Sequence, residues 1–175
     1  MSRKQQIETR LVCDRFEVQK VSVHRPADGM VTQRDVVRHP GAVVILPQLD
    51  DGRFCFIKSY RIAVNAELIE LPAGTREPNE APIETARREL EEETGYRCSQ
   101  LEPLGEFCMS PGILDEQMHA FVARGLTEGA PALEPGEEII NLLLTPVEVQ
   151  ELIATNKIQD AKTLAVLTLF QAKTD

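Results

Sequence analysis

The sequence predicts an α/β (α+β) chain, a mixed β-sheet packed between helices, and three observations carry that expectation. Runs rich in β-branched residues come in pairs separated by turn residues. A glycine-free, glutamate-rich segment with helical periodicity follows the second pair, and two more helical segments close the chain. At 175 residues, with 42% hydrophobic and 27% charged, the chain is long enough for one well-cored domain and short for two.

FEVQKVSV (16–23) and VTQRDVVRH (31–39) are separated by an Asp28-Gly29 turn signal and predict a hairpin. The His39-Pro40-Gly41 run marks a boundary, so residues 1–40 are expected to form an N-terminal β-hairpin extension and residues 41–175 the main domain. GAVVILPQL (41–49) and RFCFIKSYR (53–61) predict a second pair across Asp50-Asp51-Gly52. Their near-continuous apolar character implies burial on both faces at the centre of the sheet. SQLEPLGEFCMS (99–110) and QMHAFVARGL (117–126) read as strands joined by PGILDE. Thr145-Pro146-Val147-Glu148 matches a capping box with proline at the first helical position, which predicts a helix over about 146–155. Asp160 is the expected N-cap of a last helix with Leu164, Leu167 and Phe170 on one face.

Composition also narrows the function. The longest apolar runs fall well short of the roughly 18 residues that span a bilayer. The N-terminal MSRKQQIETRLVCDRF lacks an apolar signal core, so a cytoplasmic protein is expected. Cys13, Cys55, Cys98 and Cys108 contain no CxxC pair and read as reduced thiols. The net charge of -9 disfavours nucleic acid and anionic membrane as partners, and an anionic small substrate would need an intermediary cation.

Residues 74–96, GTREPNEAPIETARRELEEETGY, hold seven glutamates and three arginines. Asn79, early glutamates and Pro82 resemble a helix start, Gly95 an αL stop, and Ile83, Ala86, Leu90 and Thr94 an inward stripe. Glu89, Glu92 and Glu93 then crowd within about one turn, with Glu80 at the loop-to-helix junction. A solvated face with Glu84–Arg88 and Arg88–Glu92 pairs is the plainer account of such a helix. Like charges at these spacings, however, cost about 0.2–0.5 kcal/mol each. Hard divalent cations supply a reason for the crowding, because Mg²⁺ takes carboxylate oxygens and keeps its other positions for water and phosphate.

The spacing Gly74, five residues, Glu80, seven residues, Arg88-Glu89-Leu90-x-Glu92-Glu93-x-Gly95-Tyr96 resembles the signature of Nudix hydrolases. Chance agreement at the seven glycine, glutamate and arginine positions is roughly four in a billion per starting point, which rejects the solvated-face account. Tyr96 departs from the aliphatic residue usual at the last position, and Ser59 from the glutamine frequent before Tyr-Arg. The resemblance implies the Nudix fold and hydrolysis of a nucleoside diphosphate with Mg²⁺ or Mn²⁺. It implies metal held by the Ala73 carbonyl, Glu89 and Glu93 with Glu92 beside them, Arg88 orienting a glutamate, and Gly74 allowing close backbone approach. Ions so held neutralise a diphosphate and acidify water.

HPGAVVILP (39–47), SYR (59–61), ELPAG (70–74), SPGILDE (110–116) and DAKT (160–163) are similar to the ADP-ribose pyrophosphatase subgroup. That similarity implies cleavage of ADP-ribose to AMP and ribose 5-phosphate. Glu116 is then the general base or water-orienting residue, with Asp115 adjacent; Arg61 and Glu70 contact substrate, and Pro111 matches a subgroup position. It further implies a homodimer with exchanged N-terminal strands. Without tryptophan, either Phe16, Tyr60 or another residue stacks the base, or the base is held differently. Alternatives are another nucleoside diphosphate sugar such as GDP-mannose, a noncatalytic ADP-ribose sensor, and a prenyl diphosphate isomerase. Intact box carboxylates disfavour the sensor, and the lack of a nucleophilic cysteine at the site disfavours the isomerase.

Overall fold

A computed structural model describes residues 5–174. The chain divides into two compact units, one containing residues up to Gly41 with Cys108–Gln117, the other Ala42–Phe107 with the chain from Met118 onward.

In the first unit, β1 (Gln5–Val12), β2 (Glu17–His24) and β3 (Val31–Arg38) form an antiparallel sheet in that order. The expected hairpin is β2–β3. Its turn closes as the Arg25 N–H donates to the Met30 carbonyl, while the Asp28 carboxylate accepts from the Met30 N–H and Arg25 Nε. Gly29 adopts φ 70°, which a residue without Cβ takes freely. Strand β1 was not foreseen, because QQIETRLV is exposed along its whole length and has no buried face to imprint a pattern. The 108–117 segment is bonded to the end of β3: Val37 donates to the Ile113 carbonyl at 2.8 Å and accepts from Asp115 N–H at 3.1 Å.

The second unit contains β4 (Ala42–Pro47), β5 (Phe54–Arg61), a short 3-10 turn (Ile62–Val64), β6 (Ala66–Glu70), β7 (Ala73–Thr75), α1 (Pro82–Thr94), β8 (Arg97–Cys108), β9 (Gln117–Thr127), β10 (Ile139–Leu144), α2 (Pro146–Ala154) and α3 (Ala161–Thr174). The mixed α+β class is as expected, with the strands divided between two sheets. One has the order β7-β4-β9-β8 with β4 parallel to β9; the other is antiparallel, β10-β5-β6.

That division corrects the expected β4–β5 hairpin. The turn forms, with Gly52 at φ 86° and the Leu49 N–H bonded to the Arg53 carbonyl, but pairing stops at one bridge between Gln48 and Phe54. β4 and the first half of β5 are apolar and buried on both faces, and each strand takes its edge neighbours from elsewhere: β4 from β7 and β9, β5 from β6, the next strand, and from the distant β10. All six β4 residues are buried, and Val43 and Ile45 share a core cluster with Cys55, Ala86, Leu90, Tyr96, Leu101, Phe121 and Ala123.

Helix α1 begins at Pro82 rather than Asn79. Asn79 has φ 67° in a turn closed by the Glu80 N–H on the Glu77 carbonyl, and Ala81 occupies the N-cap without a side-chain bond. The buried stripe is Thr85, Ala86, Leu90, Glu93 and Thr94, whereas Ile83 is exposed. Thr85 faces inward because its hydroxyl serves both the Glu80 carboxylate and the Ala81 carbonyl. Gly95 ends the helix in the αL conformation, as expected. The capping box of α2 is present, and Asp160 accepts from the Thr163 N–H and hydroxyl at the start of α3. In α3 the buried residues are Thr163 and Val166, while Leu164, Leu167 and Phe170 are only partly covered; Phe170 meets Phe54 edge to face. No described helix is long and apolar enough to cross a membrane.

Candidate active site

One turn of α1 and the Ala73–Gly74 strand gather the predicted glutamates within the second unit. Glu93 is buried, and its Oε2 accepts the Ala73 N–H at 2.8 Å. Burial pushes its carboxyl up to about 8, opposed by the Ala73 hydrogen bond and assisted by the neighbouring Glu89 charge. Burial also raises Glu89, against the pull of Arg88. The Glu89 carboxylate lies against the backbone of Gly74, in space that any other residue's Cβ would fill.

Arg88 holds the rest of the acidic group together. Its Nε and Nη2 meet the two Glu80 oxygens at 3.1 Å each; its Nη1 meets Glu89 at 2.7 Å and Glu92 at 2.8 Å. Glu80 also accepts from the Thr85 hydroxyl and the Glu77 N–H. The Arg88 guanidinium, more than any other partner, holds the Glu80 carboxyl down near 2. Arg88 is shifted upward in return, chiefly by Glu80.

A second ionic cluster lies at the end of β6. Glu70 is fully buried between Arg61, whose Nε donates to Oε1 at 2.7 Å, and the Lys162 ammonium, which meets Oε2. Burial pulls the Arg61 guanidinium down, and the Glu70 hydrogen bond and charge more than reverse this. Lys162 also pairs with Asp160 at 3.0 Å. The sequence points to Arg61 and Glu70 but not to Lys162, although the DAKT run contains it. The local pattern holds no sign of its partner, which lies 92 positions away.

Phe16, Pro111 and Glu116 belong to the first unit. Phe16 is partly exposed and Pro111 exposed. Asp115 is engaged by Arg38 Nη1 at 2.8 Å and the His39 N–H at 2.9 Å, while Glu116 Oε1 lies 3.5 Å from His39 Nδ1. Asp115 is therefore committed to holding the loop.

Among the described residues, no three His, Cys, Asp or Glu side chains converge as a ready cage, since Glu80, Glu89 and Glu92 all turn to Arg88. The donors nonetheless fit a hard divalent cation. Glu89 and Glu93 offer carboxylate oxygens four residues apart on one helix, and burial raises both carboxyls, so that a nearby cation would favour their charged, ligating forms.

Known proteins resemble this chain over most of its length. The NUDIX domain model matches residues 37–167. The methanol dehydrogenase activator of Bacillus methanolicus is 39% identical over 146 residues, covering 82% of this chain and 79% of that protein. The ADP-ribose pyrophosphatase of Bacillus subtilis is 36% identical over 148 residues, covering 83% and 80%. A crystal structure of an ADP compounds hydrolase superposes with a TM-score of 0.84 at 21% identity, covering 98% of this chain and 94% of that one, and shows the same fold.

Proposed function

From the premise that the chain belongs to the NUDIX domain family, we propose that it hydrolyses the diphosphate of ADP-ribose to AMP and ribose 5-phosphate. The observation that supports this reading is the complete set of signature residues: Gly74 on β7, Glu80 in the loop before α1, Arg88, Glu89, Glu92 and Glu93 on α1, and Gly95 at its C-cap, with Arg88 bonded to Glu80, Glu89 and Glu92. The 36% identity to an ADP-ribose pyrophosphatase supports the substrate.

Glu89, Glu93 and the Ala73 carbonyl are the proposed holders of Mg²⁺ or Mn²⁺, which when bound supplies charge neutralisation for the diphosphate and acidifies the attacking water. Arg88 aligns Glu89 and Glu92 by its paired hydrogen bonds. Arg61, bonded to Glu70 through Nε, has its terminal nitrogens for a phosphate. Glu116 is assigned the water's proton on the resemblance alone. The water oxygen joins one phosphorus, the P–O–P bridge breaks, and the departing phosphate keeps the bridging oxygen.

The same reading makes the protein a cytoplasmic homodimer. Exposed Ile7, Leu11 and Val12 on β1 support an exchange of N-terminal strands, and the ring of Phe16 is offered to the base. Purified protein with Mg²⁺ and a panel of nucleoside diphosphate sugars tests the substrate. ADP-ribose should be turned over fastest, and a faster rate on GDP-mannose would replace it. A second reading follows from the 39% identity to a methanol dehydrogenase activator: the chain activates an alcohol dehydrogenase. Adding the protein to methanol dehydrogenase and following alcohol oxidation tests that role.

A further inference from the structure

Glu70 is a buried carboxylate whose two oxygens are taken by two different cations. The inner one, Lys162, is 12% exposed, and the outer one, Arg61, is 40% exposed. Lys162 is built in firmly: Asp160 both pairs with its ammonium and caps the helix at Thr163, and the Thr163 hydroxyl accepts the N–H of Leu71, the residue after Glu70. The first turn of α3 is thereby tied to the end of β6. Arg61 by contrast uses only Nε in the pair, and among the described residues no protein acceptor is bonded to its terminal nitrogens.

Guanidinium prefers to grip a carboxylate with two parallel N–H bonds. Arg61 would do so if Glu70 Oε2 were vacant, because a buried carboxylate oxygen without a partner is costly. That turn would draw the guanidinium fork away from solvent. We infer that Lys162 is a positioning residue for substrate binding: by saturating Glu70 Oε2 it keeps Arg61 bonded through Nε alone and leaves the Arg61 fork free for a phosphate of the diphosphate. The inference rests on the reading of Arg61 as a phosphate contact given above.

The test uses the whole protein with Lys162→Met, and Lys162→Gln in parallel should the methionine variant fold poorly. Inorganic pyrophosphate is the binding probe, and thermal melting is recorded beside it. The neutral variants should bind pyrophosphate about tenfold more weakly, and the KM for ADP-ribose should rise about tenfold with kcat nearly unchanged, one oriented contact being lost. Lys162→Arg, which keeps a cation on Oε2, should restore both. A merely structural lysine would lower the melting temperature and leave the pyrophosphate affinity as it was. Equal pyrophosphate affinity in wild type and neutral variants, or no pyrophosphate binding by the wild type, overturns the inference. Weakened pyrophosphate binding in a protein that does not hydrolyse ADP-ribose would instead overturn only the substrate reading.

Discussion

The Glu89 carboxylate occupies the place where Gly74 would carry a side chain: an ideal Cβ built on Gly74 would stand 1.9 Å from Glu89 Cδ and 2.0 Å from its Oε1. The glycine is therefore required by contact with a particular glutamate, and its φ is not in the positive region where glycine is otherwise favoured.

Gly74→Ala should swing Glu89 out of place while leaving the core intact. Since a displacement of about 1 Å at a reacting centre costs on the order of a hundredfold, kcat/KM for ADP-ribose should fall by about that factor. Circular dichroism should show an unchanged fold, and near wild-type turnover would remove Glu89 from the site.

Glu93 predicts a pH effect on stability in protein stripped of divalent ions. Its folded carboxyl titrates near 8, against an ordinary value of 4.5, so between these two the folded state binds a proton that the unfolded state has lost. Stability should fall as pH rises through that window. Glu93→Gln should flatten this dependence when melting temperatures are compared at pH 5 and pH 8, and should also abolish AMP formation from ADP-ribose in Mg²⁺.

Glu80 has the opposite sign. Its carboxyl is held near 2 in the folded chain, so its stabilisation is complete above the ordinary 4.5 and is lost as pH falls toward 2. Glu80→Gln should destabilise by about 1–3 kcal/mol at neutral pH, because it leaves the Arg88 fork without its two-point partner. Urea unfolding checks this, and the gap to wild type should close in acid.

Asp115 and Glu116 should separate cleanly. Glu116→Gln removes the proposed proton acceptor and should reduce kcat by about 10²- to 10⁴-fold. Asp115→Asn weakens the bonds to Arg38 and His39 that hold the loop, and should cost less than about tenfold. The reverse order, measured by steady-state kinetics, would exchange their roles.

What the sequence by itself determined is local. Helix α1 with its αL stop at Gly95, the capping box of α2, the Asp160 cap of α3 and the Asp28-Gly29 hairpin each depend on residues within a few positions of one another. The acidic cluster was legible for the same reason, since spacings of three and four stack side chains on any helix. The helix starts at Pro82 rather than Asn79 because Asn79 takes a positive φ in the turn that the Glu80 N–H closes on the Glu77 carbonyl, which spacing does not reveal.

Only the tertiary structure decided which strands are neighbours. β4 lies parallel to β9 in one sheet while β5 joins β6 and β10 in another, although β4 and β5 are consecutive and joined by a well-formed turn. Apolar strands buried on both faces accept many partners, so their pattern does not choose among them. The cations on Glu70 were decided in the same way: pairing of β5 with β6 brings Arg61, nine positions away, and packing of α3 beside the end of β6 brings Lys162, ninety-two away, to one buried carboxylate.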